Sequence, residues 1–216
     1  MLAVQSQDEL QRAIYDCCRD GIPSIDHGPM RLHGPIGKWD VSRVSDMCQL
    51  FYNIMDFNYD LSKWDVSRVT DMAGMFGVAQ TFNQDLSKWD VSRVTNMQAM
   101  FVYAHSFNQD LSKWDVSRVA DMSAMFCHAI LFNKDISKWD VSHNSDMHFM
   151  FAEAFSFNQD LSKWDVSRVA GMWYLFSETS IFNSDLSKWD SKEISQAVSS
   201  CVARDYRGAR YRLFCL

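Results

Sequence analysis

Glycine is scarce, 8 of 216 residues, and none falls in a GGxGxD string, so the glycine-rich turns of a calcium-binding β-roll are missing. No window approaches the roughly 18 unbroken apolar residues of a membrane-spanning helix. The opening MLAVQSQDELQRA has no basic start and only a short apolar stretch, which argues against a secretory signal in this sequence. There is no nucleophile elbow, Walker loop, HExxH or GxGxxG string, so no enzyme and no cofactor is expected. The formal net charge of −6 lacks the basic surface that phosphate contacts need, and nucleic acid is not an expected partner. Charge is uneven, however: Arg204, Arg207, Arg210 and Arg212 face one acid, Asp205, so the stretch from Cys201 onward carries +3 and the remainder −9. That stretch reads as a solvated basic end.

What the chain does have is tryptophan at a fixed interval of 25 residues: Trp39, Trp64, Trp89, Trp114, Trp139, Trp164 and Trp189. Each sits in a near-copy of LSKWDVSRV. A period of this length marks a stacked array in which each unit borrows its neighbours' core. One unit offers Leu61, Trp64, Val66, Val69, Met72, Met75, Phe76, Ala79 and Phe82 as apolar anchors. Trp64 and Val66 lie two apart, with Lys63, Asp65 and Ser67 between and beside them, the alternation of a short strand. Met72, Met75, Phe76 and Ala79 fall at i, i+3, i+4 and i+7, the stripe of a helix whose start Thr70 and Asp71 would cap.

Parallel strands would stack about 4.8 Å apart and helices about 10 Å, so the array is expected to curve. The expected fold is an α/β solenoid with short parallel strands on the concave side, short helices on the convex side and helical caps at both ends. Residues 1–33 are assigned to the first cap, where Ser6 and Glu9 form a capping box, Leu10, Ala13, Ile14 and Cys17 a stripe, and Gly21 with Pro23 the stop. Residues 34–190 hold the seven units, the first degenerate, with Leu32 and His33 in the Phe and Asn slots just before it. Residues 191–216 are assigned to the second cap, with Ile194, Ala197, Val198 and Cys201 at helical spacing, and to the basic tail.

The string FNQDLSKWDVSRVTNMQAMF, iterated over residues 34–190, resembles the BspA-like leucine-rich-repeat surface proteins. Leu61-x-x-Trp64-x-Val66-x-x-Val69 is similar to LxxLxLxxxxL with tryptophan in a leucine slot. The resemblance implies a non-catalytic repeat scaffold for protein–protein interaction, as a subunit of a larger assembly or displayed at a cell surface or secreted. The alternative it implies is a surface adhesin for a glycan or a mineral.

Two groups of side chains are candidates for binding. On the expected concave face, Lys63, Asp65, Lys88, Asp90, Lys113 and Asp115 would form parallel charged rows cross-linked as a salt-bridge sheet, which disfavours a calcium row. On the expected convex edge, Phe149, Phe155, Trp173 and Tyr174 break the pattern of their unit, as do His143 and Asn144, the latter standing in a valine slot. Exposed aromatics anchor interfaces. The column Asn58, Asn83, Asn108, Asn133, Asn158 and Asn183 is expected to satisfy backbone groups.

The six cysteines (Cys17, Cys18, Cys48, Cys127, Cys201, Cys215) share no phase of the repeat and form no CxxC pair. They read as free thiols, with Cys201 and Cys215 the pair to examine first. The histidines His27, His33, His105, His128, His143 and His148 fall at different phases, so no two should stack and no metal centre is expected.

Overall fold

The computed structural model describes residues 4, 6–18, 34–179 and 181–198. Gly21, Pro23, Leu32, His33, the Cys201 and Cys215 pair and the arginines from 204 to 212 lie outside them. Among the described residues the α-helices are α1 (Gln7–Cys18) and α2 (Ser191–Val198), with a 3-10 turn at Ile36–Lys38 between them. Among the described residues the 25-residue units hold no α-helix, and strand pairing is limited to isolated bridging residues, Asp40 and the parallel series Asp46, Asp71, Asn96, Asp121, Asp146, Gly171. The expected curved leucine-rich-repeat α/β solenoid, with strands inside and helices outside, is therefore overturned.

Turns replace the strand because aspartate precedes each hydrophobic pair. Asp60 Oδ1 accepts the Ser62 N–H at 2.8 Å and Trp64 N–H closes on the Leu61 carbonyl at 3.0 Å. Asp65 Oδ1 then accepts Ser67 N–H at 3.0 Å, and Val69 N–H closes on Val66 at 2.9 Å. Short side chains that hydrogen-bond two residues ahead favour such turns over extended pairing. Trp64 and Val66 are buried while Lys63 and Asp65 are exposed. Two successive turns thus reproduce the burial alternation of a strand without its ladder.

The expected helix fails for a different reason. The N–H groups of Met72, Gly74, Phe76 and Val78 leave their own coil and donate to the carbonyls of Asn96, Gln98, Met100 and Val102 of the next, at 2.9, 2.7, 2.9 and 2.7 Å. The alternate N–H groups of Met75, Gly77 and Ala79 close i to i+3 turns on Met72, Gly74 and Phe76. An α-helix would need every one of these donors inside its own segment. The path requires left-handed backbone at Gly74 (φ 59) and Val78 (φ 62), and the equivalent pair recurs in each coil from Gln49 and Asn53 to Tyr174 and Glu178. Met72, Met75, Phe76 and Ala79 are still fully buried, so a chain of turns buries the spacing that a helix would have buried.

Side chains lock one coil to the next. Phe76 stacks on Phe51 and Phe101 at 5.5 and 5.6 Å between ring centroids, and on Phe82 of its own coil at 3.9 Å. Phe82 continues a second column to Phe107 at 6.0 Å. Removing one such buried ring costs about 3–5 kcal/mol. The indoles of Trp64, Trp89, Trp114, Trp139 and Trp164 reach back to the previous coil: Trp89 Nε1 donates to the Leu61 carbonyl at 3.1 Å, and Trp114 Nε1 to Leu86 at 3.0 Å. The asparagine column satisfies main chain from coil to coil, Asn58 Oδ1 accepting Asn83 N–H at 3.0 Å and Gln84 Nε2 at 3.0 Å. Leu10, Ala13, Ile14 and Cys17 of α1 join the core at one end, and Ala197 of α2 joins it at the other. Cys17, Cys18 and Cys127 are buried free thiols, and Cys48 is a half-buried one.

Valine is a poor occupant of left-handed backbone, where a β-branched side chain crowds the neighbouring carbonyl at a cost of about 1–2 kcal/mol. Asn53 holds the same position one coil earlier. Val78→Asn is therefore expected to stabilise the chain by about 1 kcal/mol, read as a higher urea midpoint at unchanged slope. A lower midpoint would show that the Val78 side chain contributes more by packing than its backbone loses.

Candidate functional site

The charged residues Lys63, Asp65, Lys88, Asp90, Lys113 and Asp115 are all exposed, as a contact surface requires. They stand on turn corners instead of a sheet face. Asp65, Asp90 and Asp115 each accept the N–H of the serine two residues on, at 3.0, 3.1 and 3.1 Å. The expected salt-bridge sheet is also corrected: among the described residues the ion pairs within 4 Å are His128 with Glu153 and His148 with Asp146, and no lysine takes part. Lysine acts at longer range on the other aspartate row, where Lys63 and Lys88 both help to hold the Asp60 carboxyl down.

A second surface is built by the left-handed positions of the turn segment. The first of these in successive coils is Gln49, Gly74, Ala99, Ala124, Phe149 and Tyr174, and the second is Asn53, Val78, Tyr103, His128, Glu153 and Glu178. Ala99, Val102, Ala124, Cys127 and Ala152 form a small apolar cluster here, separate from the core, against which Tyr103 and Phe149 pack. The Phe149 and Tyr174 rings stack at 5.0 Å and are parallel to within 1°. Tyr174 and its neighbour Trp173 are 39% and 46% exposed, far more than side chains of that size in the core. Phe155, 41% exposed, lies two residues beyond Glu153, beyond the end of the turn segment. The structure thus pairs Phe149 with Tyr174, sets Trp173 beside Tyr174, and places Phe155 beyond Glu153 along the chain.

The sequence reading missed the residues between these aromatics. Tyr103 stacks on His128 at 4.2 Å, and His128 Nε2 lies 3.0 Å from Glu153 Oε1. Tyr103, His128, Glu153 and Glu178 are each 25 residues apart, so they share a phase that a search among histidines alone could not reveal. His105 and His128 stand in different columns, as their phases indicate, but these differ by only two residues, and His105 lies close enough to help, after burial, hold His128 below the ordinary imidazole value. Burial and then Glu178 push the Glu153 carboxyl up, and burial and then Glu153 push the Cys127 thiol up to about 12, which leaves that thiol protonated and inert. No three His, Cys, Asp or Glu side chains among the described residues are grouped as a metal would require.

His148 and Asn144 mark the same region. The His148 ring bonds the Asp146 carboxylate and lies over Gly171, so that a Cβ there would require the ring to move; the column is otherwise of Asp and Asn. Asn144, 1% exposed, makes one long bond from Nδ2 to the Val119 carbonyl at 3.4 Å, and its Oδ1 has no partner among the described residues.

A family described as "Mycoplasma protein of unknown function, DUF285" matches residues 27–129 and 108–205, and the chain belongs to that family. No curated protein and no solved structure matches the chain. The resemblance to BspA-like leucine-rich-repeat surface proteins is accordingly withdrawn, since the unit lacks both the strand and the helix such a repeat is made of. The scaffold and adhesin roles fall with it, because both were drawn from a leucine-rich-repeat face that does not form. No helix among the described residues is long and apolar enough to cross a membrane.

Two predictions follow from these groups. Asp40, Asp60, Asp85, Asp90, Asp110, Asp135, Asp140, Asp160, Asp165 and Asp185 all have carboxyls held below the usual range, first by the hydrogen bonds of the serine two residues on. Groups depressed in this way stabilise the fold above their unfolded pKa of about 4 and lose that contribution as pH falls through the folded values. Urea midpoints should be level from neutral pH to about 5 and drop below about 4, and Asp85→Asn with Asp110→Asn should flatten the drop. For Asn144→Val, removal of a buried amide with an unmet oxygen should raise stability by about 1–2 kcal/mol; a fall in thermal midpoint would assign that amide a structural bond of its own.

Proposed function

We propose that the chain is a non-catalytic recognition module with one binding edge, on the coils that carry Phe149, Phe155, Trp173 and Tyr174. The observation that carries this reading is singularity. Positions filled by Ala99 and Ala124 in earlier coils hold Phe149 and Tyr174 here, and the position of Ala73 holds an exposed tryptophan. Tyr15 and Tyr52 are also exposed, at the first helix, but Phe155, Trp173 and Tyr174 fall in two successive coils, where large aromatics offer contact area at little conformational cost. Catalysis is no part of the proposal, because the abundant aspartates are committed to capping turns.

The exposed lysine row is the competing surface, and one experiment separates the two. A panel of small neutral, anionic and cationic ring compounds is screened by saturation-transfer NMR against three proteins of equal thermal midpoint. These are the wild type, Trp173→Ser with Tyr174→Ser, and Lys63→Glu with Lys88→Glu and Lys113→Glu. Loss of contacts in the aromatic variant alone is the expected result. Loss in the lysine variant alone would move recognition to the charged corners and sink the proposal.

A further inference from the structure

We propose that the ligand of this edge carries a guanidinium group, which lies flat on the exposed Tyr174 ring, backed by Phe149, and forks onto the carboxylate of Glu178. The inference rests on the recognition edge proposed above and names what it takes.

Three observations converge on a planar cation. First, the Phe149 and Tyr174 rings stack one over the other, parallel to within 1°, and Tyr174, 39% exposed, is the more open ring of the pair. A delocalised, weakly hydrated cation stacks on such a face better than a compact ammonium does.

Second, the carboxylates are beside it. Phe149 packs against the patch that contains Cys127 and Ala152, and Glu153 lies close enough to that patch to act on the Cys127 thiol. Phe149 and Glu153 therefore border the same few side chains, and Tyr174 and Glu178 repeat the arrangement one coil on. Third, the two carboxylates differ in what already holds them. Glu153 is engaged by His128 at 3.0 Å, whereas Glu178 is exposed and has no hydrogen bond or ion pair among the described residues.

Glu178 also repels Glu153, one cause of the raised Glu153 carboxyl. A cation seated against Glu178 lessens that repulsion. The preference for guanidinium over ammonium comes from its shape. Five N–H donors in a plane can meet both oxygens of one carboxylate while the flat side stays on the Tyr174 ring.

The test is titration calorimetry of the full chain with N-acetyl-arginine amide, its citrulline counterpart, N-acetyl-lysine amide and butylguanidinium. N-acetyl-arginine amide should bind more tightly than the lysine compound, and the uncharged citrulline compound should bind weakest. Glu178→Gln should weaken the arginine compound about three- to fivefold, the size of an exposed charge-assisted contact, while leaving the citrulline compound unchanged. Butylguanidinium equal to the arginine compound identifies a free small cation as the source, and several-fold weaker binding identifies a peptide side chain; either supports the proposal. Equal binding of arginine and citrulline compounds, lost on Trp173→Ser with Tyr174→Ser, overturns the cation and keeps the edge. Binding of all four untouched by the aromatic substitutions overturns the edge itself.

Discussion

Four amide protons per coil govern this structure. Those of Met72, Gly74, Phe76 and Val78 and their counterparts leave their own coil to find a carbonyl in the next, and almost every other feature accommodates that choice. It forbids a helix, because the donors are spent outside the segment. It requires two left-handed residues per coil, most of them not glycine, and so builds in backbone strain that inter-coil hydrogen bonds and stacked phenylalanines offset. The same left-handed residues point their side chains away from the core, and this places Phe149, Tyr174, His128, Glu153 and Glu178 on one surface.

The period and the core were legible from sequence. Trp64, Val66, Met72, Met75, Phe76 and Ala79 are all buried, as their regular recurrence indicated. The backbone was not legible, because a pattern of burial does not specify which hydrogen bonds produce it. Two aspartate-capped turns give the alternation of a strand, and a run of i to i+3 turns gives the i, i+3, i+4, i+7 stripe of a helix. The signals that could have decided were local. Aspartate two residues before serine occurs twice in each DLSKWDVS string, and it favours a turn wherever it occurs.

The candidate edge was half legible for a related reason. Phe149, Trp173 and Tyr174 stood out as departures from the repeat, and departure is visible in one chain. Tyr103, His128, Glu153 and Glu178 did not stand out. That position holds Asn53, Val78, Tyr103, His128, Glu153 and Glu178 in turn, so no one of them breaks a rule. Only the fold shows that this variable position is one continuous line on the surface, with a stacked Tyr103 and His128 at one part of it and two carboxylates at another. The charged row was regular in the sequence, and its aspartates prove to cap turns while its lysines stand exposed.

The hydrogen bonds between coils also have a direction, with a consequence for how the chain is made. Trp89 and Thr95 donate backward, to carbonyls of Leu61 and Thr70 that a ribosome has already delivered, while Met72, Gly74, Phe76 and Val78 wait for carbonyls not yet synthesised. A nascent chain therefore grows like a zipper with its pull at the ribosome, each emerging coil finding its own anchors ready and silencing four donors left open behind it. Arrest partway would leave that last row unsatisfied, an adhesive rung on which the stalled chain could pair with another copy of itself.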